Sequence, residues 1–425
     1  MRIRIHGGHI IDPANGTDAP GEVCIENDRI VTGPGGAEAF KPDLEIDAAG
    51  KLVCPGFIDL GARFREPGLE HKATIASESQ AAVSAGVTAV CCPPDTHPVI
   101  DTSAVVELIH QRNAALNLTR IYPLGAFTYA LESERLAEMY TLIEAGCIGV
   151  SNAGAAIDNS ELLRRGLEYA AGFDITVFIQ AQDRYLRNNG VMHEGPISTR
   201  LGLPPIPETA ETVAVSQTLL LVEQTGARVH FCRLSSARSV SMIAAAKQSG
   251  LPVSADVGIC YLHLTEKDVD DYNVECHMNP PLRTLSDRDG LRQGLYDGGV
   301  DAVCSDHQPH DDDAKAAPFS LTEPGASTIE ILFPLLNELV IHGTLSMAQA
   351  IGAITVRPAR ILGLELGSLG KGCKADIAIV DPAYRWRLDK NSLLSAGKNT
   401  PFDGRDMTGR VTHTIIDGRL VYEAN

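Results

Sequence analysis

The segment Ser305-Asp306-His307-Gln308-Pro309-His310 concentrates a carboxylate and two imidazoles on one short loop. Oxygen and neutral nitrogen lone pairs of this kind hold divalent metals, and an imidazole can also relay protons near neutral pH. A tight mononuclear site needs more donors than this loop supplies, so the loop by itself does not establish a new metal site. The adjacent Cys91 and Cys92 lie in an apolar run with no histidine close in sequence, which makes them core thiols. Asp311, Asp312 and Asp313 form a solvated acidic loop, and the lone Trp386 carries no functional signal.

The elements that must position this chemistry follow a rhythm. Between residues 75 and 305 helical segments end at a glycine, in turn Gly86, Gly146, Gly172, Gly226, Gly250 and Gly299, and a short apolar run follows. A glycine there caps the helix in the left-handed conformation and releases the chain into a strand. The runs are Val87–Cys92, Cys147–Ser151, Ile175–Gln180, Arg228–Arg233, Pro252–Asp256 and Val300–Ser305; Val53–Leu60 and Ile121–Phe127 bring the number to eight. Apolar strands alternating with helices predict a closed (β/α)8 barrel over 53–364, and no G-x-G-x-x-G follows any strand to suggest an open dinucleotide-binding sheet. Residues 1–52 and 365–425 alternate as strands with turn glycines, and we expect them to pair into one small β-sandwich. Two long polar segments, Ala181–Pro207 and Asp306–Gly325, follow barrel strands, which places them on the C-terminal face where barrels carry function.

Composition narrows the partners. With 36 basic and 54 acidic residues the formal charge is −18, which disfavours nucleic acid and anionic membrane surfaces. Ten cysteines without a C-x-x-C read as reduced, buried thiols, and the alternating N-terminus lacks the apolar stretch of a signal peptide, so a cytoplasmic setting is expected.

A series of motifs along nearly the whole chain resembles the class I dihydroorotases of the amidohydrolase superfamily. They are PGFIDL at 55–60, REPG at 65–68, CCPPDTHPVID at 91–101, GVMHEG at 190–195, NPPLR at 279–283, SDHQPH at 305–310, RPARILGL at 357–364, ADIAIVDP at 375–382 and NTPFDG at 399–404. The resemblance implies a barrel whose active members cyclise carbamoyl aspartate at a zinc centre. At the implied ligand positions this chain departs. Gly61 and Arg63 replace the first strand's H-x-H, Asn152 and Ala153 replace the aspartates of D-D-G, and Gln180 and Arg233 replace single histidines; Asp306 alone is kept. Glycine offers no donor, glutamine is a poor one, and arginine does not give up its proton in a protein. No metal and no cofactor are therefore expected.

The substrate positions that the resemblance implies are mixed. Arg65, Asn279 and His310 are present, whereas Asp95 replaces an asparagine and would repel a carboxylate, and Ile259-Cys260-Tyr261 replaces P-H-H. The function expected is that of a non-catalytic subunit, because class I dihydroorotases assemble with aspartate carbamoyltransferase, in some bacteria through a chain lacking the zinc ligands. The expected partners are the catalytic chain of that transferase and a second copy of this chain in a dimer. An amidohydrolase with altered or metal-poor chemistry, dihydroorotase- or allantoinase-like, and a ligand-sensing pseudoenzyme are the alternatives. One structural expectation follows from charge. Asp306 buried without a metal needs a counter-ion, and Arg63 or Arg233 should provide it.

Overall fold

The computed structural model describes residues 1–32 and 40–424; residues 33–39, within the expected terminal domain, and residue 425 lie outside the described residues. Eight parallel strands form one sheet in chain order: Phe57–Asp59, Val87–Cys92, Arg120–Ala126, Gly149–Ser151, Val177–Ile179, Val229–Phe231, Val253–Gly258 and Ala302–Cys304. They are called here the first to eighth barrel strands. The seam between first and eighth is closed by a bridge from Ala62 to His307 and by Asp59, whose carboxylate accepts from the Ser305 backbone N–H at 3.0 Å and from its hydroxyl. Inside the barrel Ile58, Leu60, Ala89, Cys91, Leu124, Phe178 and Cys304 pack as one apolar cluster. Inward residues of this size fill the lumen, so the chemistry is confined to the rim.

The run Val53–Leu60 proves to be two strands. Leu52–Pro55 pairs with Ile377–Val380 and with His9 and Ile10 in the terminal sheet, while Phe57–Asp59 begins the barrel. Gly56 sits at the division because a Cβ there would lie 2.3 Å from Thr88 Oγ1, and only glycine lets the two sheets approach so closely. The terminal strands join in one eight-stranded mixed sheet that encloses its own core of Ile3, Ile5, Val23, Ile46, Ile377 and Ile415. Arg120, which opens the third barrel strand, ties this sheet to the barrel through Asp376 at 2.5 Å and Asp417 at 2.6 Å.

Two of the expected caps shift. The helix Leu285–Asp297 ends on Gly298 at φ 82°, not on Gly299, and after the helix Ser160–Gly172 it is Asp174 that takes φ 56°. All ten cysteines are free, and Cys91 and Cys92 are buried as expected. The segment Ala181–Pro207 is not an open loop: it holds the short helices Arg184–Arg187 and Pro196–Leu201 and a two-stranded pair, Met192–His193 with Pro205–Ile206. Among the described residues no helix is long and apolar enough to cross a membrane.

Candidate functional site

Asp306 follows the eighth strand, Arg233 the sixth and Arg63 the first, and the barrel brings all three to one rim. Arg233 Nη1 donates to Asp306 Oδ1 at 3.1 Å, and Arg63 Nη1 stands 3.8 Å from the same oxygen. The ion pair expected from the sequence is therefore present. All three side chains are buried. Burial works against the Arg233 charge, and the adjacent Asp306 carboxylate more than restores it, so the guanidinium is held above its ordinary range.

The pair sits in a chain of bonds across the rim. Gln308 Nε2 also donates to Asp306 Oδ1, at 2.9 Å, and Arg233 Nη2 donates to Gln180 Oε1. Gln180 Nε2 reaches the Asn279 carbonyl at 3.4 Å, and Gln182 Nε2 donates to Asn279 Oδ1 at 3.0 Å. On the other side Arg63 Nε donates to Asp95 Oδ2 at 2.7 Å. The repulsive Asp95 expected from the sequence is thus corrected: Arg63 neutralises it. Burial opposes the Asp95 charge, but Arg63 holds the carboxyl below its usual range. Several residues here occupy left-handed backbone, with φ 64° at Arg65, 50° at Ala153, 55° at Arg233 and 48° at Asp306. Non-glycine residues in that region cost of order 1 kcal/mol each, so the rim is held by its surroundings.

The remaining positions diverge. Asn152 turns aside, its Oδ1 accepting from Thr128 N at 3.1 Å and Thr128 Oγ1 at 2.8 Å. Gly61, Ala153 and Arg233 border a cavity of about 20 Å³, room for about one water where larger side chains would have met. Arg65 is engaged locally, with Nε donating to the Pro309 carbonyl at 3.0 Å and Nη2 standing 3.1 Å from His310 Nε2. Burial, reinforced by Arg65, drives His310 down to about 2, so its ring stays neutral. His307 is removed from the rim: Nδ1 accepts from the Thr328 backbone N–H at 3.0 Å, which leaves Nε2 to donate to Glu78 at 2.7 Å. The sequence reading missed Gln182, Gln308 and a buried group one layer below Arg233.

That group is His230, Cys232 and Asp256, whose donor atoms lie within 4.8 Å of one another. His230 Nε2 meets Asp256 Oδ2 at 2.9 Å and its Nδ1 meets Ser254 Oγ at 2.8 Å, while Asp256 Oδ1 accepts from the Arg233 backbone N–H at 2.6 Å. The alternation of inward residues along HFCRL was the available signal. At the rim itself the donor set does not fit zinc, because its carboxylates Asp306 and Asp95 are each bonded to a guanidinium.

Comparison with known proteins places this geometry. Residues 50–239 match the family described as Dihydro-orotase-like, and residues 327–422 match the Amidohydrolase family. The chain is 43% identical to the "Dihydroorotase-like protein" of Pseudomonas putida, with 99% of each chain covered. It is 43% identical to the protein of the same name from Pseudomonas aeruginosa, over the whole of both chains, and 42% identical to the "Dihydroorotase" of Anaeromyxobacter sp. (strain K), over 99% of this chain and 97% of that one. Among solved structures, the L-hydantoinase of Arthrobacter aurescens superposes with a TM-score of 0.88 at 21% identity, covering 99% of this chain and 96% of its own. The dihydropyrimidinase of Brevibacillus agri NCHU1002 gives 0.86 at 21%, covering 100% and 95%. At that identity the likeness is one of fold.

Proposed function

The chain belongs to the dihydroorotase-like family, and from that premise we propose that it is a non-catalytic member. Its role in this reading is to support the assembly and stability of the aspartate carbamoyltransferase catalytic chain in de novo pyrimidine biosynthesis. The carrying observation is the 3.1 Å pair of Arg233 with Asp306. Opening a cyclic amide needs an activated water and a polarised carbonyl, and closing one needs the same polarisation while an N–H attacks the carboxyl and water leaves; a metal supplies this in active relatives. Here one guanidinium holds Asp306, the one carboxylate kept at the implied ligand positions, and Gln180 is bonded to the same guanidinium. An arginine in that place can orient an anion, but it cannot lower the pKa of a bound water as a coordinated dication does.

Size-exclusion chromatography of the chain with and without the transferase tests the proposal. A joint peak larger than either component, with transferase activity surviving longer in it, is expected; equal size and equal stability without this chain would remove the scaffold role. A second reading, an amidohydrolase with altered chemistry, is favoured by one observation, the N, S and O donors of His230, Cys232 and Asp256. Stoichiometric metal lost on Cys232→Ser, together with turnover of a cyclic amide, would select it.

A further inference from the structure

The two long segments that the sequence singles out on the C-terminal face enclose a cavity of about 390 Å³, lined among others by Arg187, Asn188, Asn189, His277, Asn279 and Thr322. That volume suits a small metabolite. Arg187 closes the helix Arg184–Arg187 and has no carboxylate within ion-pair distance among the described residues, and its buried Nε has no hydrogen-bond partner. Burial lowers its pKa, and no neighbouring anion opposes that. A cation left unpaired in a polar recess is poised for an external anion.

The rest of the lining is more specific than a positive charge. The Thr322 hydroxyl donates to the Phe319 carbonyl at 2.8 Å, so its oxygen must accept from His277 Nδ1, also at 2.8 Å. His277 is held at about 4 by burial and by Lys315, so the neutral ring leaves Nε2 as an acceptor. Asn279 accepts from Gln182 through Oδ1, which leaves its amide N–H groups as donors. We propose that this cavity binds a small organic anion that also carries an N–H donor, the anion on Arg187 and the N–H on His277 Nε2. The site does not use Arg65, whose guanidinium is committed to Pro309 and His310. It also does not depend on the scaffold reading, since the transferase plays no part in it.

Calorimetric titration of the isolated chain with N-acetylglycine, a carboxylate bearing an amide N–H, tests the inference, with inorganic phosphate as the bare-anion probe. Saturable binding of N-acetylglycine is expected. Arg187→Met should weaken it roughly ten- to hundredfold, the usual worth of a charge-assisted hydrogen bond. Arg184→Met, which removes an exposed cation of the same helix that is paired with Asp158 at 3.1 Å, should leave it unchanged. Both residues are at least partly exposed, so neither variant threatens the fold. Absence of saturable binding, equal affinity in Arg187→Met, or equally tight binding of phosphate would each overturn the proposal.

Discussion

Replacing Asp306 by asparagine removes one charge from the rim and little else. The amide that replaces the carboxylate would keep an oxygen for Gln308 Nε2, so the loss falls on the two guanidinium groups at 3.1 and 3.8 Å. At an effective dielectric near 20 those separations correspond to roughly 5 and 4 kcal/mol of attraction, before the cost of burying the ions is counted. Arg233 and Arg63 remain 5% and 8% exposed, so bulk water cannot replace the lost carboxylate. Breaking a buried pair from one side costs about 3–5 kcal/mol, and Arg63 keeps Asp95, so the lower end, about 3 kcal/mol, is expected. Urea unfolding of the wild type, Asp306→Asn, Arg233→Met and the double variant measures it as a cycle. The double variant should be less destabilised than the sum of the singles by about 2 kcal/mol, because removing both charges leaves neither buried alone. A loss under about 1 kcal/mol for Asp306→Asn, with additive effects in the double variant, would show a hydrated Asp306 and refute the pairing argument.

Further outcomes follow from the same geometry. The purified chain should carry no zinc at the rim and turn over neither carbamoyl aspartate nor dihydroorotate; one zinc per chain whose removal abolishes activity would contradict this. Gly61→His with Arg63→His should not restore turnover, since Gln180 and Arg233 still supply no ligand and Asp95 would lose its partner. Stability should fall with acid. Burial holds His310 at about 2, His263 at about 3, and His193 and His277 at about 4 in the folded chain, whereas unfolded histidine titrates near 6.5. Below that value the unfolded state therefore binds more protons, and the slope steepens from about 2.7 kcal/mol per pH unit near pH 6.5 towards about 5 as the four rings protonate in the unfolded chain. Melting temperatures that stay level from pH 7 to 5 would count against neutral, buried rings.

The barrel was legible because its signal is local and repeated: a helix, a left-handed cap and an apolar run recur around the sheet. Cap positions slipped where another residue could take the same conformation, as Asp174 does after Gly172. The division of Val53–Leu60 was not legible, since both halves are apolar and the break at Gly56 depends on Thr88 approaching from another strand. The Arg233–Asp306 pair could be inferred because strand ends in a barrel converge and a buried carboxylate needs a counter-charge. The pairing of Arg63 with Asp95 needed coordinates, since sequence gives the charges at a strand end but not which neighbour a long side chain will choose. His230, Cys232 and Asp256 escaped for a related reason: lone inward residues on neighbouring strands form a group only once the register is known.

The rim shows why the ligand positions are best read together. Asp306 is retained although a carboxylate buried alone is costly, and it is tolerable here because Arg233 and Arg63 approach it from two other strands. Each arginine in turn needs more than Asp306: Arg233 uses Gln180, and Arg63 uses Asp95. The glutamine and the aspartate that looked like separate losses of function are thus the acceptors that two buried guanidinium groups require. Gly61 and Ala153 complete the arrangement, since larger side chains there would compete for the space beside Arg233 that the small cavity now marks. A single substitution at Gln180, Arg63 or Arg233 towards a metal ligand would therefore leave a buried guanidinium or carboxylate without its partner.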